Sequence, residues 1–161
     1  MTDEGFQKAR DYTFKLLSFR PRSTREVRQK LKIYLNKKNL SEDLLEKVIS
    51  DFTRQNFLND LNFAKWWTDQ RSRASIKGSK LIFLELSSKG IDKEIINEVL
   101  NSQNQDVEIQ KSKKILEKKI NLFSKKYPKQ ILKFKLNRYL LGKGFSFDIV
   151  KKAIDEVISK S

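Results

Sequence analysis

The chain has 161 residues, of which 38% are apolar and 34% charged, and its net charge of +15 predicts polyanionic or acidic partners. Cys and His are both absent, which excludes disulfides, zinc sites with the usual ligands and Ser–His or Cys–His catalytic pairs. Five Gly and two Pro leave little turn chemistry for an all-β fold, and the low apolar fraction favours thin helical bundles.

Targeting and catalytic signals are missing from the sequence as well. The first ten residues, MTDEGFQKAR, lack the apolar region of a signal peptide, and no apolar run approaches the ~20 residues that span a membrane. The carboxylates lack the spacing of a two-metal centre, and no Gly-rich phosphate loop is present. We therefore expect a cytoplasmic, non-enzymatic protein without metal or cofactor.

The first third of the chain predicts three helices. The first of them has a face at helical spacing that contains Phe6, Ala9, Thr13 and Leu16. Pro21 opens the second helix, where Ser23 and Glu26 have the spacing of a capping box. The core face predicted for this second helix contains Val27, Leu31, Tyr34 and Leu35.

The middle and last thirds show the same succession of helices. A helix in the middle third is marked by Phe63, Trp67 and Ala74. Trp66 and Trp67 point about 100° apart on it, so we expect one in the core and one partly exposed. In the last third, one helical face contains Ile109, Leu116, Ile120 and Phe123, and Pro128 opens the next helix.

Three segments align as internal repeats: NLSEDLLEKVI (39–49), GIDKEIINEVL (90–100) and GFSFDIVKKAI (144–154). Each begins with a residue type that accepts the left-handed conformation at a helix end, namely Asn39, Gly90 or Gly144. An N-cap is predicted two residues later in each, at Ser41, Asp92 and Ser146. We predict an all-α fold of three tandem three-helix repeats, 5–57, 58–104 and 105–159, that form an elongated, curved body.

Positive charge is concentrated toward the two ends of the chain. Residues 1–57 contain 13 basic and 8 acidic residues, 58–104 contain 7 and 6, and 105–161 contain 15 and 6. Charge that served solubility alone would have little reason to avoid the middle. The distribution predicts that the terminal repeats bind an anionic surface.

The densest basic run is FRPRSTREVRQKLKIYLNKK (19–38), with eight basic residues and one acidic residue, Glu26. On a helix, Arg25, Arg28 and Lys32 form a stripe displaced by roughly 120° from the core face. A second basic cluster has lysines that surround a helix, namely Lys111, Lys113, Lys114, Lys118 and Lys119, and lysines that straddle the turn at Pro128, namely Lys125, Lys126, Lys129 and Lys133. These lysines predict diffuse attraction to a phosphate backbone. A solvated face that only keeps the helices soluble explains either run equally well.

Three stretches have distinctive patterns, RPRSTREVRQKL (20–31), QNFLNDLNFAKWWTDQR (55–71) and KGSKLIFLELSSKGI (77–91), and a looser one is RYLLGKGFSFDIV (138–150). They resemble the motifs of the RecX family, the regulators of RecA recombinase. Two positions depart from the family pattern, because Asn56 and Asn39 stand where the family usually has Gly. The resemblance spans nearly the whole chain, and the middle motif is its most specific part.

The resemblance implies tandem three-helix repeats that bind along the groove of the RecA–DNA filament and inhibit ATP hydrolysis and strand exchange. The expected partners are the RecA filament and single- or double-stranded DNA, and we expect a monomer that does not bind membranes. A stand-alone nucleic-acid-binding protein and a scaffold whose charge serves solubility are the alternatives. The candidate partner-binding or nucleic-acid-binding residues are Arg20, Arg22, Arg25, Arg28, Lys32, Arg71, Arg73, Lys125, Lys126, Lys129 and Lys133.

Overall fold

The computed structural model describes residues 2–74, 76–102 and 104–159, and within them it contains nine α-helices and no strand. The helices are α1 (Thr2–Phe19), α2 (Thr24–Lys37), α3 (Asp43–Arg54), α4 (Asp60–Ala74), α5 (Ser79–Ser88), α6 (Lys93–Asn101), α7 (Gln105–Lys126), α8 (Lys129–Gly142) and α9 (Phe147–Ser159). The predicted all-α class and the count of three helices per repeat are confirmed. None of the helices in the described residues is long and apolar enough to cross a membrane.

The turns that close the second helix of each repeat have the predicted backbone conformation. Asn39, Gly90 and Gly144 have φ angles of 54°, 81° and 93°, in the left-handed region that Gly and Asn tolerate best. Asn56 also has a positive φ of 65°. Asn therefore replaces Gly at both departures from the family pattern without losing the left-handed turn.

Two of the three N-caps predicted after these turns have the expected position, whereas the prediction for Ser41 was wrong because Glu42 is the N-cap of α3. Asp92 and Ser146 directly precede α6 and α9, and the Ser146 hydroxyl accepts a hydrogen bond from the Ile149 amide at 3.4 Å. Ser41 lies two residues before α3, and its hydroxyl accepts from the Asp43 amide at 3.3 Å. All three residues therefore lie at the start of the third helix of their repeat.

The capping box predicted at the start of α2 is only half formed. Ser23 is the N-cap, and its hydroxyl accepts a hydrogen bond from the Glu26 amide at 3.2 Å. The Glu26 carboxylate does not return to the Ser23 amide, because one of its oxygens binds Arg20 and Arg22 instead. Two charged donors compete successfully with one neutral amide for the same carboxylate.

The chain divides into two compact units, described separately below. The first unit consists of Met1–Trp66 with Leu86–Ile96, and the second consists of Trp67–Glu85 with Asn97–Ser161. The division falls within α4, α5 and α6, so each unit includes part of the middle three helices. The predicted repeat boundaries at 57/58 and 104/105 stay a prediction.

The core of the first unit follows the predicted helical faces. Val27, Leu31 and Leu35 on α2 are at most 1% exposed, and they share a core with Val48 and Phe52 on α3. Tyr34 extends this face by stacking on Tyr12, with ring centroids 4.1 Å apart. Burying each large aliphatic side chain stabilises the fold by about 1.5–3 kcal/mol.

The second unit has its own core, formed by α7, α8 and α9. Its buried residues include Leu116 of α7, Leu136 and Leu140 of α8, and Val150 and Ile154 of α9. Ile109, Ile120 and Phe123 lie on the predicted face of α7, with Ile109 buried and the other two packed against the core. The helical period of the apolar residues in this third of the chain is thereby confirmed.

Candidate partner-binding surface

The first two arginines of the basic run hold the turn between α1 and α2 together. Arg20 and Arg22 both donate to Oε1 of Glu26, at 2.5 and 2.7 Å, and Arg22 Nε donates to the Leu16 carbonyl at 2.9 Å. Burial alone would raise the pKa of Glu26, but the hydrogen bonds and charges of both arginines hold it below the ordinary 4.5. The Arg22 side chain is only 12% exposed, so its main contacts are internal.

Arg25 and Arg28, from the predicted basic stripe, also make contacts within the first unit. Arg25 donates to the Ser88 carbonyl, and its side chain lies over Gly90. Arg28 forms a two-pronged ion pair with Glu46 on α3, with nitrogen–oxygen distances of 3.0 and 3.3 Å. Both guanidinium groups are solvent-accessible, but part of their hydrogen-bonding capacity is already used.

The lysines of α2 form the open part of this basic surface. Lys30, Lys32 and Lys37 are exposed and have no ion-pair partner among the described residues. Ile33 lies among them and is 67% exposed. We call these four residues the α2 surface. Lys30 and Lys37 are not among the residues predicted from the sequence. They become candidates only because the structure shows that the neighbouring arginines are already paired with carboxylates.

The start of α2 is fixed by residues far along the chain. The backbone amide of Thr24, the first residue of α2, donates to the Asp60 carboxylate at 2.8 Å. Arg25 beside it reaches the Ser88 carbonyl, and a Cβ on Gly90 would lie 2.7 Å from the Arg25 Cδ and Nε atoms. We call Thr24, Arg25, Asp60, Ser88 and Gly90 the first junction.

The start of α5 is fixed in a similar way within the second unit. The amide and hydroxyl of Ser79, the first residue of α5, both donate to the Glu108 carboxylate, the amide at 2.8 Å. Gly78 donates to the Lys143 carbonyl at 2.7 Å, and Lys80 donates to the Gly144 carbonyl at 3.0 Å. We call Gly78, Ser79, Glu108, Lys143 and Gly144 the second junction.

The two glycines of the second junction pack backbone against backbone. A Cβ on Gly78 would overlap the carbonyl group of Gly144 and the amide nitrogen of Phe145. A Cβ on Gly144 would lie 2.7 Å from the Leu81 amide nitrogen. These overlaps account for the glycine of the KG pair at the start of the stretch 77–91.

Glu85 binds three residues from the two neighbouring stretches 55–71 and 77–91. It accepts hydrogen bonds from Trp67 Nε1 at 2.8 Å, Arg71 Nε at 3.0 Å and Lys77 Nζ at 2.5 Å. The Arg71 guanidinium also lies 4.4 Å from the centroid of the Trp67 ring, a cation–π contact. Burial would raise the pKa of Glu85, but the bonds from Lys77 and Trp67 and the Arg71 charge lower it below 4.5.

The two tryptophans do not divide into one core and one exposed residue. Trp66 and Trp67 are both half-buried, and the buried residues of this helix are Phe63, Ala64 and Thr68. The expectation that one ring lies in the core was therefore wrong. The reason is that the hydrogen bond to Glu85 keeps the Trp67 indole at the boundary with solvent.

The remaining candidate residues belong to the second unit, and most of them are open. Lys125, Lys126 and Lys129 are exposed around the turn between α7 and α8, and Lys126 Nζ lies 5.4 Å from the Tyr127 ring centroid. Lys133 lies 3.7 Å from the Asp155 carboxylate, and both groups are exposed, so the pair is weak. Arg73 pairs with Asp69 at 3.4 Å, again at the surface.

The chemistry available on these surfaces is that of mobile positive charges beside apolar side chains. Lysines act as point charges that attract phosphates or carboxylates without reading a fixed geometry. Within the described ranges, no group of three or more His, Cys, Asp or Glu side chains could hold a metal ion. The candidate residues stay predictions, although Arg20, Arg22 and Arg71 have clear structural roles.

The architecture defines a class: an all-α protein of tandem three-helix repeats with lysine-rich surfaces. Family models match the chain in the expected order, as the first three-helix domain of RecX over residues 9–52, the second over 59–100 and the third over 106–154. The chain belongs to the RecX family.

Individual relatives agree with this placement. A regulatory protein RecX of Bacillus licheniformis is 34% identical over 157 residues, which cover 95% of this chain and 55% of that protein. One from Finegoldia magna is 32% identical over 148 residues, covering 91% of this chain and 70% of that protein. The crystal structure of RecX from Lactobacillus salivarius superposes with a TM-score of 0.86 at 29% identity and covers 96% of this chain and 97% of that one. The chain spans about half the length of several curated relatives that it matches.

Proposed function

We propose that the chain is a non-enzymatic regulator of a RecA-type recombinase in the cytoplasm. It binds in the groove of the recombinase–DNA filament as a monomer and lowers ATP hydrolysis, strand exchange and filament growth or stability. The observation that carries this proposal is the match of three successive RecX domains along one chain. The name regulatory protein RecX, borne by the curated relatives, supports the same role.

The open lysines are the part of the molecule best suited to such a filament. A nucleoprotein filament presents both phosphates and acidic side chains, and lysines on flexible stems attract either. The α2 surface offers Lys30, Lys32 and Lys37 around the exposed Ile33, which adds an apolar contact that a protein partner would cover. In the second unit, Lys125, Lys126 and Lys129 offer charge around the turn between α7 and α8.

The first test is the rate of ATP hydrolysis by the cognate recombinase on single-stranded DNA during titration with this protein. Binding to bare DNA is measured at the same salt concentration, because electrostatic binding depends steeply on salt. We expect hydrolysis to fall at protein concentrations too low to coat bare DNA. If hydrolysis changes only once bare DNA is saturated, the chain is a stand-alone nucleic-acid-binding protein and the proposal fails.

The second test asks whether the α2 surface makes the contact. The variant K30E/K32E/K37E should weaken inhibition at least about tenfold, the effect of losing charge-assisted contacts at a partner surface. The control K15E/K47E/K65E changes the net charge equally on exposed positions of α1, α3 and α4 of the same unit. Equal losses in both variants would mean that net charge, and not this surface, governs binding. Reversing Arg25 or Arg28 is a poorer test, because each holds an internal contact.

A further inference from the structure

The second unit contains a concavity lined by five basic side chains together with Ile76, Ile115 and Tyr139. Its volume is about 270 Å³, and its lining includes Lys114, Lys118 and Lys119 of α7, Tyr139 of α8, Lys143 at the end of α8, and Arg73 of α4. We call it the lysine pocket. The volume lies just below the range of about 300–1,000 Å³ that holds drug-sized ligands, which fits a small ligand group.

Most of the positive charge in the lysine pocket has no acidic partner among the residues that the structure describes. No acidic residue is among the described residues that line it, and none of its four lysines has an ion-pair partner in the described part of the chain. Arg73 alone has one, the exposed Asp69 at 3.4 Å. Like charges held close together repel one another, so a bound anion would relieve this repulsion.

Two of the lysines are placed on the same aromatic ring. Lys119 Nζ lies 5.4 Å and Lys143 Nζ 5.5 Å from the centroid of the Tyr139 ring. Both lysine side chains are half-buried, and Tyr139 itself packs against the core of the unit and against Phe123. The ring therefore places two ammonium groups beside the concavity. Because these groups are half-buried, water solvates them less well there than on an exposed helix face.

We propose that the lysine pocket is a binding site for a phosphate-bearing group of nucleotide size. A phosphate group carries nearly two negative charges and three strong acceptor oxygens, so it can bind several of these ammonium groups at once, whereas a carboxylate carries a single charge. The ligand chemistry is shared by a free nucleotide and by one nucleotide of a single strand. This inference does not rest on the proposed function, because binding is measured on this chain alone.

The experiment is a titration of the full chain, uniformly labelled with ¹⁵N, with pyrophosphate, ATP or a short oligothymidylate. Amide chemical shifts locate the site, and the dependence on concentration gives the affinity. We expect pyrophosphate to shift amides of residues 114–119 and 139–143 and to leave those of α2 and α9 nearly unchanged. Shifts spread evenly over every lysine-bearing helix would show screening of the net charge and would overturn the proposal.

Paired variants make the test specific. K119Q/K143Q removes the two ammonium groups on Tyr139, and we expect at least about a tenfold loss of pyrophosphate affinity. K114Q/K118Q, on the more exposed side, is the second variant in case the first is poorly folded. The control K15Q/K151Q removes the same charge at exposed positions outside the pocket and should change affinity by no more than about twofold. An equal loss in the control contradicts the inference.

The choice of ligand distinguishes the two sources of the phosphate. One outcome is that the oligothymidylate shifts the same amides as pyrophosphate and binds K119Q/K143Q more weakly than the unmodified chain. In that case the pocket holds a nucleic-acid strand. If ATP does so and the oligothymidylate does not, the pocket holds a free nucleotide. Failure of all three ligands to bind there overturns the site while leaving the recombinase assay, which uses a different readout, unaffected.

Discussion

The first and second junctions perform the same task with different chemistry. In each, the first amide of a repeat's second helix donates to a carboxylate from the first turn of a later helix, Asp60 for α2 and Glu108 for α5. In each, residues beside that amide contact a turn that contains a left-handed glycine, Gly90 or Gly144. The first junction makes this contact with the Arg25 side chain, and the second makes it with backbone groups of Gly78.

This difference indicates at which junction a substitution should destabilise the fold more. An arginine side chain has several rotatable bonds and can move away from a new atom at small cost. Two backbones in contact cannot separate without shifting the helices to which they belong. We therefore expect the second junction to be the more sensitive of the two, although both have the same arrangement of helix start, carboxylate and turn.

The largest effect should follow from Gly78→Ala. The added Cβ overlaps the backbone of Gly144 and Phe145, and we expect the free energy of unfolding in urea to fall by about 3 kcal/mol. Gly142→Ala is the matched control, because Gly142 ends α8 with no atom within 4 Å of the new Cβ, and it should cost nothing. Equal stabilities of the two variants would show that the backbone contact relaxes freely.

The next effect concerns the two carboxylates. Glu108 is 7% exposed and serves both the amide and the hydroxyl of Ser79, so Glu108→Ala should cost about 2 kcal/mol. Asp60 is half-buried and serves one amide, so Asp60→Ala should cost about 1 kcal/mol. Thermal or urea unfolding ranks them, and Glu108→Gln, which keeps an acceptor oxygen, should recover part of the loss. A larger loss for Asp60 would reverse the ranking of the junctions.

A smaller effect is expected at Gly90. Alanine there must adopt a φ of 81°, which costs about 1 kcal/mol, while the overlapping Arg25 side chain can turn away. The double variant R25A/G90A isolates the overlap. Its loss should equal the sum of the single losses within about 0.5 kcal/mol if Arg25 moves freely. A clear rescue of Gly90→Ala by Arg25→Ala would mean that the first junction is as rigid as the second.

The smallest effect is a change in the dependence of stability on pH. The pKa of Glu85 is lower in the folded chain than its ordinary 4.5. Its contribution to the free energy of unfolding is therefore complete above pH 4.5 and is lost as the pH falls through the folded pKa. Glu85→Gln should therefore flatten the decline in unfolding free energy below pH 4.5. Urea titrations at several pH values measure it. Glu26→Gln is the counterpart in the first unit, where the pKa is lowered by Arg20 and Arg22. A decline parallel to that of the unmodified chain would contradict the assignment.

Local features of the fold could be predicted because they depend on a few neighbouring residues. The left-handed positions at Asn39, Gly90 and Gly144 follow from which residue types tolerate a positive φ. The buried faces of α2 and α7 follow from the helical period. Both kinds of feature repeat three times along the chain, which makes the pattern visible without a structure.

The contacts that join distant residues could not be predicted in this way. Arg25 reaches Ser88, and Gly78 packs on Gly144, across stretches that share no local period. The same reason limits the prediction of the candidate surface. The sequence alone does not show which basic side chains bind a carboxylate or carbonyl group within the protein and which are open to a partner. Arg20, Arg22 and Arg28 have such partners, and Lys32 has none among the described residues.

The tryptophans described above give the chain its own optical probes. The sequence has only two, and they fall in different compact units, Trp66 in the first and Trp67 in the second. The Trp66 ring lies near Phe63, with centroids 6.0 Å apart, whereas the Trp67 indole donates to Glu85 under the Arg71 guanidinium. Replacing either one by phenylalanine leaves a single emitter, whose fluorescence reports the change in the surroundings of that one ring as α4 unfolds.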